Sequence, residues 1–308
     1  MQYALLNRFQ ATLLGAVLGE MVGETSDETW RQPAQGTRTQ LPSSFNWRTI
    51  APSPTLPLQT LTQFYLQDLL QPSASFSEIA ASPEATGQAA IALLPTLLFF
   101  HEDRLKLWKQ LRQAVDRLQN SSIDLLGVYA IGSTIVEILH ERFDPLTLIP
   151  QLLSTLKPLD HQHQAPLIEQ LQQVQTLLEQ QAGLEAALRL IPRRSEQTVA
   201  IALYCFLSTP EDFGLALMRA ARSGRQVAVV CTIVGALSGA HNGLNGITIA
   251  GRLAADSWQL TTGEARSQSE LLNQADRLLA LWSGVYNPTL GDRSTYAVAA
   301  PQVIRKFG

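Results

Sequence analysis

Arg8-Phe9-Gln10-Ala11-Thr12-Leu13-Leu14-Gly15-Ala16-Val17-Leu18-Gly19-Glu20-Met21-Val22-Gly23 carries two patterns at once. Leu13, Leu14, Val17, Leu18 and Met21 fall at i, i+3, i+4 spacing, one stripe of an amphipathic helix. Gly15, Gly19 and Gly23 are four apart and line one face, where the missing side chains permit close approach of another backbone. Glycine costs about 1 kcal/mol relative to alanine in a helix interior, so its repetition means tight packing or room for a ligand. Gly235-Ala236-Leu237-Ser238-Gly239-Ala240, followed by His241-Asn242-Gly243, supplies small residues at 235, 236, 239 and 240, a second close-packing face. On physical grounds alone, helix-on-helix packing is the favoured reading of both.

Working outward, helical periodicity dominates the chain. It predicts helices near 58–71, 86–101, 103–119, 123–142, 145–157, 165–190, 196–207, 211–223, 226–241 and 267–285. Asp144-Pro145, Thr209-Pro210-Glu211 and Ser195-Glu196 are expected helix starts, because a short polar side chain caps the first free N–H groups. No run alternates apolar and polar residues between turn pairs as a β-hairpin does. The expected fold class is therefore all-α, in one helical domain over residues 1–286. Between Gly23 and Pro57 the pattern stops, and six prolines and glycines break regular structure in an irregular 23–57 loop, with Trp30 and Trp47 as anchors. Residues 287–308, with Pro288, Gly291 and Pro301, are expected to form an extended tail.

Composition narrows the function classes. Hydrophobic residues make up 45% of the 308, enough for a substantial core, and charged residues only 16%. The net charge of −3 gives no overall footprint for nucleic acid or an anionic membrane. The apolar stretch Val227–Ala240 falls short of the roughly 20 residues of a membrane span, and Arg8 and Glu20 interrupt the apolar start. A cytoplasmic protein without a membrane span is expected. Cys205 and Cys231 lie inside apolar runs and read as buried free thiols. Of the five histidines, His101 and His140 stand near helix ends, where a protonated imidazole suits the dipole. His161 and His163 are two apart, a spacing that leaves them on different helix faces. No zinc-protease, phosphate-loop, dinucleotide or nucleophile-elbow motif is present.

At this point the sequence resembles a family, the ADP-ribosylglycohydrolases. Arg8 to Gly23 follows the family's opening pattern RFxGALLGxAxGDALG. Val199 to Leu207, Glu211 to Ala221, and Gly224 through Gly235-Ala236-Leu237-Ser238-Gly239-Ala240 to Gly243 match later segments in order. Gly87 to Phe100 matches a middle segment more weakly. The resemblance spans about residues 8 to 252 and implies an orthogonal helical fold around a central cleft. It also implies hydrolysis of glycosidic bonds of ADP-ribose with two magnesium ions. Such hard ions require oxygen ligands, mostly carboxylates, about six for each.

The ligand motifs depart from the family. Counting back from Gly235, the late Asp-x-Asp-Thr falls on Gln226-Val227-Ala228-Val229, without a carboxylate or a hydroxyl. The early acidic motif lands near Leu56-Pro57-Leu58-Gln59, and no carboxylate stands between Arg48 and Tyr65. The aspartate of the opening pattern is Glu20, and a downstream family glutamate has Asp27 or Glu28 as its counterpart. Arg225 replaces a family glycine beside the late motif. The metal site is therefore expected to be missing, and no cofactor is expected in its place. The resemblance, with these departures, implies a catalytically degenerate, regulatory binding module for a protein partner or an ADP-ribose-like ligand. Arg225, Gln226 and Gln59 are its expected ligand contacts. The alternative is a metal-independent glycohydrolase using Glu20, Asp27 and Glu28, since two carboxylates alone can cleave a glycosidic bond.

Overall fold

A computed structural model describes residues 2–31, 85–118, 121–159, 166–191, 197–224, 226–257 and 268–284. Among these residues there are thirteen α-helices and no strand, as the all-α expectation requires. They are α1 (Gln2–Arg31), α2 (Ala85–Ala92), α3 (Leu94–Phe99), α4 (Arg104–Leu118), α5 (Leu125–Leu139) and α6 (Leu148–Leu156). A 3₁₀ turn, Lys157–Leu159, precedes α7 (Pro166–Glu179), α8 (Leu184–Leu190), α9 (Gln197–Leu207) and α10 (Phe213–Ala221). The chain continues as α11 (Val227–Gly246), α12 (Ile249–Ser257) and α13 (Gln268–Trp282).

The two glycine-bearing helices find each other. A Cβ added at Gly15 would lie 2.2 Å from the Gly235 carbonyl oxygen, one at Gly19 2.1 Å from that of Cys231, and one at Gly239 2.1 Å from that of Ala11. Partner numbers fall on α11 as they rise on α1, so the pair is antiparallel and its backbones touch. A helix apolar on every side belongs at a centre, and α11 carries no charged residue. By length and composition α11 would suffice to cross a membrane, but most of it is buried against other helices. It reaches past the expected stop at His241 because Gly243, at φ +65°, kinks the helix and lets a last turn follow. The Asn7 side chain takes the Leu244 N–H there at 2.9 Å.

The other helices wrap this pair. α10 and α9 pack on α11, α13 on α1, and α2 bridges α11 to α5. α4 and α3 lie on α5, while α7 joins α6 to α9. Gln10 of α1 donates to Asp276 of α13 at 2.8 Å. Asp124 caps α5 by accepting the Leu126 N–H at 2.9 Å, and Asp212 caps α10 through Leu215 at 2.9 Å. Cys205 and Cys231 are buried free thiols, and burial pushes the Cys205 thiol up to about 12.

Several expectations need correction. α1 does not stop at Gly23 but runs to Arg31, since Glu24 to Arg31 holds neither proline nor glycine. The expected 23–57 loop thus loses its first nine residues to helix, Trp30 among them. The expected 86–101 helix is two, α2 and α3, because Pro95 has no N–H to continue a ladder. The expected 165–190 helix is also two, divided at Gln180–Gly183. The start assigned to Thr209-Pro210-Glu211 is Asp212. Asp144 ties the turn before α6, taking the Leu146 N–H at 3.0 Å, rather than the helix end itself. The protonated imidazoles expected at His101 and His140 are disfavoured, because burial lowers the basicity of both, that of His101 to about 4. Trp47, Ser195-Glu196, His161, His163, the expected 58–71 helix and the 287–308 tail lie outside the described residues.

Candidate functional site

The N-terminal end of α11 is where the resemblance places the chemistry. Gly224, at φ +68°, and Gln226, at φ +50°, turn the chain out of α10 and into α11. Gln226 occupies the cap position, but its side chain does not cap. Instead its carboxamide oxygen accepts the Thr198 hydroxyl of α9. Its backbone carbonyl begins the helix ladder by accepting the Val230 N–H at 3.0 Å.

The next three residues are filled in by neighbours. Val227 and Val229 are buried. A Cβ on Gly87 of α2 would lie 2.5 Å from a Val229 methyl and 3.2 Å from the Thr198 methyl, so α2, α9 and α11 meet on apolar atoms. A Cβ on Gly23 of α1 would lie 2.4 Å from the Ala228 Cα. The nearest hydroxyl on α11, that of Thr232, bonds back to the Ala228 carbonyl at 2.7 Å. Thr86 beside Gly87 accepts the Asp124 N–H at 2.9 Å, and the Asp124 carboxylate is engaged in capping α5.

The acids come from α1. Glu20 is buried to 4% exposure one residue after Gly19, at the level of Cys231. Burial holds its carboxyl well above the usual carboxylate range, and the charge of Glu24 pushes the same way. Glu24, one turn on, is buried as well. Asp27 and Glu28 follow on the same helix, seven and eight residues after Glu20. Arg225 and Gln59 lie outside the described residues. The structure therefore brings Gln226 to the α11 end of the site and Glu20 to the α1 side. The sequence reading missed Glu24 and Thr198. The i, i+4 spacing of two acids on an apolar helix was the available sign of the first, while nothing local marks Thr198.

Among the described residues no group of three or more His, Cys, Asp or Glu is placed to hold a metal ion. The magnesium pair implied by the resemblance would find one amide oxygen at Gln226, already taken by Thr198, and hydrocarbon at 227, 228 and 229. These residues do not fit it.

A family model described as ADP-ribosylglycohydrolase matches residues 58–288, three quarters of the chain. The chain belongs to the ADP-ribosylglycohydrolase family. The match begins beyond α1, so Glu20 stands before it while Gln226 stands inside. Among solved structures, one described as an "ADP-ribosylglycohydrolase-related protein complex" is similar at a TM-score of 0.56 and 18% identity. The similarity covers 89% of this chain and 99% of that one. At that identity it speaks for the fold. No curated protein matches.

Proposed function

We propose that this family member works without the two-metal centre, as a regulatory binding module for a protein partner or an ADP-ribose-like ligand. The supporting observation is the end of α11, where Gln226, a neutral amide bonded to Thr198, and Ala228 stand at the positions of the two acidic ligands and the buried Val229 at that of the hydroxyl. Two divalent ions without surrounding anions would repel each other and lose their hydration uncompensated. The proposal includes a single domain over 1–286, a 287–308 tail and a cytoplasmic setting. Arg225 and Gln59 join Gln226 as its ligand contacts.

Thermal melting with Mg²⁺, with ADP-ribose and with both is the test. Magnesium alone is expected to leave Tm unchanged. A ligand at 100 times its Kd adds about 2.7 kcal/mol, so ADP-ribose alone is expected to raise Tm if it is the ligand. No shift with either directs the module to a protein partner. A shift that requires both overturns the proposal.

A second reading rests on Glu20, whose buried carboxyl is held above the usual carboxylate range, the direction in which a general acid is tuned. In it Glu20, with Asp27 or Glu28, cleaves an ADP-ribosyl bond without metal. Turnover of ADP-ribosylated protein that survives replacement of all three by alanine ends that reading.

A further inference from the structure

We propose that the outward face of α4 docks an acidic segment of a protein partner. α4 carries five cations, Arg104, Lys106, Lys109, Arg112 and Arg117, and one acid, Asp116, in a chain whose net charge is −3. Leu107, Leu111 and Leu118 are its buried stripe, and α4 lies on α5 and α3. The helical repeat then sets Leu105, Lys109, Arg112 and Asp116 at i, i+4, i+7 and i+11 along one outward ridge, with Lys106 beside it. Leu105 is 84% exposed, and Lys109 and Arg112 are exposed too.

The cations at the start of the helix are engaged. Arg104 pairs with Glu137 of α5, and Lys106 pairs with Asp103 at 3.2 Å. Lys109 and Arg112 make no ion pair or hydrogen bond among the described residues. Two uncommitted cations one turn apart, followed one turn back by a bare leucine, complement a segment that offers carboxylates and one apolar side chain. A nucleic acid or an anionic membrane fits worse. Asp116 stands on the ridge, Glu102 and Asp103 stand at its start, and one leucine is too little apolar surface for insertion. The face lies on other helices than the α1–α11 site and stands whether or not that site holds a ligand.

The probe is a fluorescein-labelled, glutamate-rich amphipathic helical peptide, followed by anisotropy against the full chain. Its serine-for-glutamate counterpart, phosphatidylserine vesicles and a short DNA duplex run in parallel. Binding of the acidic peptide alone is expected, weakening as salt rises from about 50 to 300 mM. K109E/R112E is expected to weaken it about tenfold or more, and Leu105→Ser by a smaller factor, with unchanged circular dichroism and Tm. All three positions are exposed, so folding is preserved. Equal binding by K109E/R112E, no binding by the acidic peptide, or tighter binding of vesicles or DNA overturns the proposal.

Discussion

Gln181 follows α7 at φ +51°, in the left-handed region that glycine adopts without cost. The Ala182 N–H reaches back to the Leu177 carbonyl at 2.9 Å and the Gln181 N–H to that of Leu178 at 3.0 Å, so the helix closes on its own last carbonyls. Gln181→Gly is expected to stabilise the protein by about 1 kcal/mol, read as a higher urea midpoint at unchanged m-value. Glu141 holds the same backbone region after α5, at φ +58°, but adds a 3.4 Å contact to Arg8 of α1. The stop at Gln181 was not legible in the sequence, whereas the expected 123–142 helix ended within a few residues of the one at Glu141. A glycine at position 181 would have announced a helix end, whereas glutamine is a good helix former and reads as continuation. For that reason α7 and α8 looked like one helix.

The α1–α11 pair is the element most legible in advance, because its signal is steric. Four-residue spacing of glycine on one helix and of small residues on another has one simple packing solution, and the backbone contacts at Gly15, Gly19 and Gly239 are that solution. Gly19→Ala would put a methyl 2.1 Å from a backbone oxygen on a helix that cannot yield locally. It is expected to cost more than about 3 kcal/mol, or to prevent folding. Gly183→Ala meets nothing within 4 Å at φ −70°, so its stability should stay within about 1 kcal/mol of wild type. Chemical denaturation of the two variants separates packing glycine from linker glycine. The site was less legible than the packing. The motif positions at 226–229 were placed from the sequence, but the burial of Glu24 belongs to the packing of α1, and the Thr198 bond depends on α9 and α11 meeting across 28 residues. No local pattern encodes that meeting.

Four helices of the molecule converge on His101. Its ring lies 5.6 Å from Phe9 of α1, 5.8 Å from His140 after α5 and 5.1 Å from Trp282 of α13, and its Nδ1 donates to the Leu98 carbonyl of α3 at 2.7 Å. Burial is the main cause of its lowered basicity, opposed by the Leu98 carbonyl and aided by His140. The folded value of about 4 lies below the ordinary 6.5, so between them the unfolded chain holds the extra proton. Stability from a neutral His101 is therefore complete above pH 6.5 and lost as pH falls towards 4, on the order of 3 kcal/mol in all. His101→Phe, which keeps a ring and cannot protonate, should flatten the fall in urea midpoint between pH 7 and 4.5. Parallel falls in both proteins would remove His101 as the cause. The sequence pointed to a charged histidine because a helix end was visible and the surrounding rings from three other helices were not. The α1–α11 contact also has a consequence in time. A ribosome releases α1 before any of α11 exists, and roughly 200 residues must still be added, about 10–40 s of synthesis at 5–20 residues per second. Throughout that interval the glycine face of α1 has no mate, so the centre of the fold cannot close until α11 has been made.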